Sequence, residues 1–156
     1  PVDINRTVRE IVEFLRPQMR LTGVEVSMEP AAESLIAFGD RVRLEQVFLN
    51  LLTNARQAMA ASPERRLRIR TRLEPDRDCP VTVEISDTGH GFRQEEVDRL
   101  FAPFYTTKKG EHGTGLGLSI SLRIVKEHGG VLEAAGAPGQ GATFTVRLPR
   151  HDSGKA

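Results

Sequence analysis

Apolar positions along the chain follow two rhythms. Ile4, Val8, Ile11, Val12, Leu15 and Met19 recur every three or four residues, which predicts a helix from about Asn5 to Arg20. Asp3 or Asn5 is available to cap it, and Pro17 is expected to kink or shorten it. Val24, Val26 and Met28 then alternate as a strand, with a second short strand expected at Leu35 to Phe38. Asp40 reads as the N-cap of the clearest helix, whose stripe is Leu44, Val47, Phe48, Leu51, Leu52, Ala55 and Met59, ending near Ser62-Pro63.

The period then changes to two. Leu67, Ile69, Thr71 and Leu73 alternate with Arg68, Arg70 and Arg72. Val81, Val83 and Ile85 alternate with Thr82, Glu84 and Ser86, so the pair predicts two antiparallel strands with one wet face each. Residues Arg93 to His112 lack a sustained period apart from a short helix around Glu95 to Leu100. A third major helix is expected from near Leu116, with Leu118, Ser121, Leu122 and Val125 on one face and a stop at Gly129-Gly130. A hairpin closes the chain, with strands Val131 to Ala135 and Ala142 to Leu148 around a turn at Gly136 to Gly141. The tail from Arg150 onward is expected to be loose. The fold class is therefore α+β, a largely antiparallel sheet with helices on one face. One domain is expected over 1–150, with 151–156 as a flexible tail.

A length of 156 residues suits a single domain. Lys+Arg is 22 and Asp+Glu is 21, leaving a net charge of +1. That balance argues against nucleic acid as a partner. The basic run Arg65 to Arg72 lacks interleaved aromatics and reads as the wet face of a strand. Cys79 is the single cysteine, which excludes an intramolecular disulfide and any multi-cysteine zinc site. No apolar run approaches ~18 residues, so no direct membrane contact is expected of this piece. A start at Pro1 rather than Met suggests a fragment.

The chemistry is partly defined by what the motifs omit. There is no GxxxxGK[ST] loop, no GxSxG elbow and no HExxH pair. Asn50 and Asn54 sit one helical turn apart, Asn54 at the margin of the apolar stripe and Asn50 just beyond it. They fit either amide ligands of a hydrated hard cation such as Mg²⁺ or a pair of solvated or capping amides. Asp87-Thr-Gly-His-Gly-Phe92 follows a strand directly. It fits a carboxylate facing a purine amine, or a plain Asp-x-Gly turn. Gly113-Thr-Gly-Leu-Gly-Leu118 opens a helix, as a phosphate-binding N-terminus or a hinge would. Phe101 to Lys108 reads FAPFYTTK: Phe101 and Phe104 suit a clamp on a lid that carries Lys108 towards a phosphate, or a satellite hydrophobic cluster.

The order of these four segments resembles the N, G1, F and G2 boxes of the catalytic ATP-binding domain of sensor histidine kinases. Arg43-Leu-Glu-Gln-Val-Phe-Leu-Asn-Leu-Leu-Thr-Asn-Ala and Gly141-Ala-Thr-Phe-Thr-Val-Arg-Leu-Pro are similar to that family too. The resemblance spans about Val2 to Pro149. It implies a two-layer α/β sandwich with a mixed, largely antiparallel sheet, the Bergerat-type fold shared with gyrase B and the heat-shock chaperones. It implies that Asn54 coordinates Mg²⁺ and that Asn50 supports that end of the site. Asp87 is implied to bind the adenine amine, Gly91 to approach the base and Thr143 to help through a water. Backbone N–H groups of Gly113, Thr114, Gly115, Leu116 and Gly117 are implied to hold the phosphates, with Lys108 near the transferable one. Ala58, Gly89, Phe92, Thr106 and Leu118 complete the implied nucleotide-binding set.

Reaction type follows from the resemblance as well. ATPase relatives carry Glu four residues before the Mg-binding Asn, whereas Asn50 stands here and cannot act as a general base. Phosphoryl transfer to a protein is therefore expected over hydrolysis. Many members carry Lys three residues after the Mg-binding Asn, where this chain has Gln57 beside Arg56. None of His90, His112, His128 and His151 has the His-Glu-x-x-x-Pro setting of a phosphoacceptor. The expected partners are a histidine-bearing dimerisation domain of the same protein and, downstream, a response regulator. The cofactors that the resemblance implies are ATP and Mg²⁺. A monomeric isolated domain and a bacterial cytoplasmic location are expected, with the parent open to membrane anchoring. A gyrase- or chaperone-type ATPase switch, an anti-sigma serine kinase and a non-catalytic adaptor are the alternatives.

Overall fold

The computed structural model describes residues 1–75, 77–102 and 117–151. Strand β1 (Val2–Asp3) leads into helix α1 (Ile4–Leu21), where the Asp3 carboxylate accepts from the Arg6 N–H at 3.1 Å. Asp3 is thus the cap; Asn5 instead turns its amide to the Ala31 and Glu33 carbonyls, both at 3.3 Å. Pro17 does not shorten α1, which runs four residues past it. The proline removes one backbone donor, and a buried stripe of Ile4, Val8, Val12, Leu15 and Met19 outweighs that loss.

Strands β2 (Glu25–Glu29) and β3 (Ile36–Ala37) follow, then helix α2 (Arg41–Ala58). The Asp40 carboxylate caps α2, accepting from Val42 at 3.0 Å and Arg43 at 3.3 Å. The helix stops at Ala58, before Ser62-Pro63, and the turn behind it is tied down by Arg65. That guanidinium donates to the Thr22, Ala60 and Ser62 carbonyls, so one side chain satisfies orphan acceptors at the ends of both long helices.

Strands β4 (Arg66–Leu73) and β5 (Val81–Asp87), the short helix α3 (Val97–Leu100), helix α4 (Gly117–Glu127) and the hairpin of β6 (Val131–Gly136) and β7 (Ala142–Leu148) complete the described residues. The five-stranded sheet has the order β2-β4-β5-β7-β6, antiparallel except for the parallel pair β2–β4. β1 and β3 form a separate antiparallel pair.

Leu67, Ile69, Val81, Val83, Ile85, Phe144, Val146 and Leu148 face the helices and are buried with the stripes of α1 and α2. α4 adds Ile124 and Val125, and Leu118 and Leu122 are only half-buried. The other face carries the arginines of β4, and these are paired: Arg68 with Glu29, Arg72 with Glu74 and Glu84. Arg150 bridges Ala37, the His151 N–H donates to Ile36, and its ring stacks on Phe38. The expected looseness therefore does not extend to these two residues. Residues 152–156 lie outside the described residues.

Candidate functional site

Two clusters of predicted residues meet along α2. The first is at the end of β5. Asp87 is the last residue of that strand and is 6% exposed. Its Oδ1 accepts from the Gly89 N–H at 2.8 Å, the geometry of an Asx turn. Strand alternation places Asp87 with Val83 and Ile85 on the helix side of the sheet.

The loop after Asp87 is stitched to its surroundings through backbone. His90 N–H donates to the Ala58 carbonyl at 3.1 Å, and Gly139 N–H donates to the His90 carbonyl at 2.7 Å. Gly89 presses so closely on α2 that an added Cβ would lie 2.6 Å from the Ala58 carbonyl carbon. Gly91 has φ +65° and Gly141 has φ +82°, both in the left-handed region. A Cβ on Gly91 would collide with the Ala137 carbonyl oxygen and sit 2.8 Å from the Gly141 oxygen; one on Gly141 would strike the Asp87 carbonyl. These glycines are required by the protein's own chain. Thr88 pins the same turn, accepting from Arg66 N–H at 2.9 Å and donating to the Glu64 carbonyl at 2.8 Å.

Phe92 is buried and tilts against Phe144 at 6.3 Å between centroids, and Phe101 meets Phe144 edge-on at 6.4 Å. Of the two expected clamp residues, Phe101 packs on β7, and Phe104 lies outside the described residues. Thr143 is opposite Ser86 in register, with the two hydroxyls 2.8 Å apart. By alternation this pair is on the other face of the sheet from Asp87, so Thr143 is one predicted residue whose hydroxyl the fold does not bring to that carboxylate.

The second cluster joins α2 to the start of α4. Asn50 and Asn54 are both half-buried on α2. Asn50 Nδ2 donates to the Gly117 carbonyl and to Ser121 Oγ, each at 3.4 Å. Among the described residues a Cβ on Gly117 would meet only Asn50, at 3.9 and 4.0 Å, which is ordinary contact. Glu45, the acidic residue preceding Asn50 on α2, is paired with Arg41 at 3.0 Å. Lys108, Thr106 and Gly113 to Leu116 lie outside the described residues.

The far ends of the same two helices are clasped. His128 Nε2 accepts from the Asp40 N–H at 3.0 Å, and Nδ1–H donates to the Ile124 carbonyl at 2.8 Å, which is a neutral imidazole with both nitrogens used. Arg43 pairs with Glu127 beside it. The Arg43 guanidinium holds the Glu127 carboxyl below the usual carboxylate range, chiefly by hydrogen bonding. Sequence patterning gave no notice that Ser121 meets Asn50 or that His128 joins the two helices; a serine in the apolar stripe of α4 was the available signal for the first.

Among the described residues no three His, Cys, Asp or Glu side chains are grouped to hold a metal ion, and no helix is long and apolar enough to cross a membrane. Asn50 and Asn54 present amide groups on this face of α2, and amide oxygens are hard ligands of the kind Mg²⁺ takes alongside water and phosphate.

Comparison with known proteins accords with this geometry. Residues 39–152 match the model of the "Histidine kinase-, DNA gyrase B-, and HSP90-like ATPase" family. The chain is 43% identical over 126 residues to the sensor protein FixL of Bradyrhizobium diazoefficiens, covering 81% of this chain and 24% of that protein. It is 40% identical to the two-component sensor PprA of Pseudomonas aeruginosa, covering 96% of this chain and 16% of that one. The nucleotide-free catalytic domain of histidine kinase ThkA superposes with a TM-score of 0.79 at 29% identity, covering 95% of each chain. Full-length ShkA in complex with AMPPNP gives 0.82 at 28% identity, covering 98% of this chain and 31% of that one. The chain spans about a quarter or less of those two curated relatives. It belongs to the histidine kinase-, DNA gyrase B- and HSP90-like ATPase family, and its fold is that of the histidine kinase ATP-binding catalytic domain.

Proposed function

We propose that this domain binds Mg·ATP and transfers the γ-phosphoryl group to a histidine on a separate dimerisation domain of the same protein. A response regulator would receive the phosphoryl group next. The observation that carries the reading is the pairing of a buried Asp87 at a strand end with an Asn50/Asn54 face on the helix that Gly89 and His90 pack against.

In this reading Asp87 accepts from the adenine exocyclic amine. Its Oδ1 already serves the Gly89 N–H, so the carboxylate is held in one orientation before nucleotide arrives. Asn54 supplies an amide oxygen to Mg²⁺, and Asn50 supports it. The metal ion, when bound, neutralises charge on the phosphates. Gly117 and the preceding Gly113 to Leu116 hold phosphate oxygens through backbone N–H groups at the head of α4. Lys108 contacts the transferable phosphate. Phe92 and Phe101, packed on Phe144, give the Asp87 end of the site an apolar flank.

The reaction breaks the bond from the γ-phosphorus to its bridging oxygen and forms a phosphorus–nitrogen bond, and the acceptor imidazole gives up one proton. It needs positioning and charge neutralisation more than covalent help from the protein. Water activation is disfavoured because Asn50 cannot take a proton, and the neighbouring Glu45 is engaged with Arg41. The test is an ATP incubation of the chain with and without a matched histidine-bearing domain. Phosphorylated acceptor with little free phosphate is expected. Steady phosphate release without acceptor would instead favour an ATPase switch.

A further inference from the structure

Ser121 is 0% exposed in a seam otherwise packed by Ile124 and Val125 of α4 and the apolar stripe of α2. Burying a hydroxyl in such a seam is unfavourable unless it is hydrogen-bonded. Its cross-helix partner is Asn50 Nδ2, 71 residues away in sequence. We propose that Ser121 is a positioning residue: it fixes which way the Asn50 amide faces. This rests on the nucleotide reading of the site given above.

The chemistry of the two acceptors decides the orientation. The Gly117 carbonyl can only accept, so the NH₂ side of the amide must face α4. Ser121 Oγ receives the same NH₂ group and turns one long contact into a fork. The amide is then held at two points one helical turn apart on α4, and its rotation about the side-chain bond is restricted. Among the described residues Asn50 Oδ1 accepts no hydrogen bond, so the oxygen is the end of the amide left for the site. Without Ser121 the amide keeps a single contact at 3.4 Å and turns more freely. A serine that merely lets two helices approach would be equally well served by alanine, which is the contrast the test uses.

The experiment compares the unaltered chain with Ser121→Ala, Asn50→Ala and the double variant. In the nucleotide-free chain, the side-chain NH₂ resonances of Asn50, identified by their loss in Asn50→Ala, should move in Ser121→Ala and the two protons should become more alike. Calorimetry with Mg²⁺ and a non-hydrolysable ATP analogue should then show about three- to tenfold weaker binding for Ser121→Ala. In the Asn50→Ala background the same change should have no further effect. Unmoved Asn50 resonances would overturn the proposal, as would an equal loss of affinity in both backgrounds, which is the mark of packing alone. Absence of binding by the unaltered chain would overturn the nucleotide reading on which the proposal depends. The resonance arm needs no nucleotide and tells the two failures apart.

Discussion

The two halves of the site are held by different kinds of force. Around Asp87 the backbone is bonded to backbone, to the Asp87 carboxylate and to the Thr88 hydroxyl, at 2.7 to 3.1 Å, and the glycines have no room for a side chain. Between Asn50 and α4 the contacts are side chain to helix at 3.4 Å, and among the described residues a Cβ on Gly117 makes only ordinary contact. The first half is completed by folding itself, since its loop is fitted against the end of α2 and the turn between β6 and β7. The second depends on how two helices lie against each other, and that can change by small shifts without unfolding anything. On the proposed reading this division is useful: a fixed seat for the base would give recognition, while an adjustable seat for the phosphates would accommodate a group that leaves.

Substitutions can break or sharpen that contrast. Gly91→Ala combines a left-handed backbone with a collision against the Ala137 carbonyl, so it should cost roughly 3 kcal/mol or more in urea unfolding. Wild-type stability in that variant would show that the loop is not fixed by the fold. His128→Ala removes two hydrogen bonds of the clasp between α4 and the cap of α2, and about 1–2 kcal/mol should be lost. Hydrogen exchange in that variant should quicken in α4 before the central strands.

Gly117→Ala is the mirror of Gly91→Ala. Stability should be unchanged or raised by less than about 1 kcal/mol, because among the described residues a Cβ there meets only Asn50, at ordinary distance, and alanine favours helix. Nucleotide affinity should fall nonetheless, so the two glycines separate folding from binding. The smallest effect belongs to the Arg43–Glu127 pair, which is exposed. Its carboxyl is lowered from the ordinary value of 4.5, so its contribution is present above that pH and fades as pH falls below it. Glu127→Gln should remove that small part of the acid dependence and leave neutral-pH stability almost unchanged.

Much of this was legible in the sequence because it is local. The apolar stripe of α2, the alternation in β4 and β5, and the Asp-x-Gly-x-Gly turn are all written within a few residues. The order of the four motifs then pointed to the family without any coordinates. What could not be read is what depends on distant partners. The parallel pairing of Glu25–Glu29 with Arg66–Arg70 follows from the helix crossover between them, which carries no local mark. The support of Gly91 by Ala137 and Gly141, and the clasp of Asp40 by His128 across 88 residues, are products of tertiary packing. Pro17 is the opposite case: a strong local signal overridden by burial of the stripe on both sides of it.

The most direct test of the central claim is a calorimetric titration of the chain with a non-hydrolysable ATP analogue, with and without Mg²⁺, beside Asp87→Asn. The account predicts Mg-dependent binding by the unaltered chain and roughly a 10- to 100-fold loss in Asp87→Asn, with folding intact because an amide oxygen can still serve the Gly89 N–H. Binding that ignores the Asp87 substitution, or no binding by the unaltered chain, would contradict it.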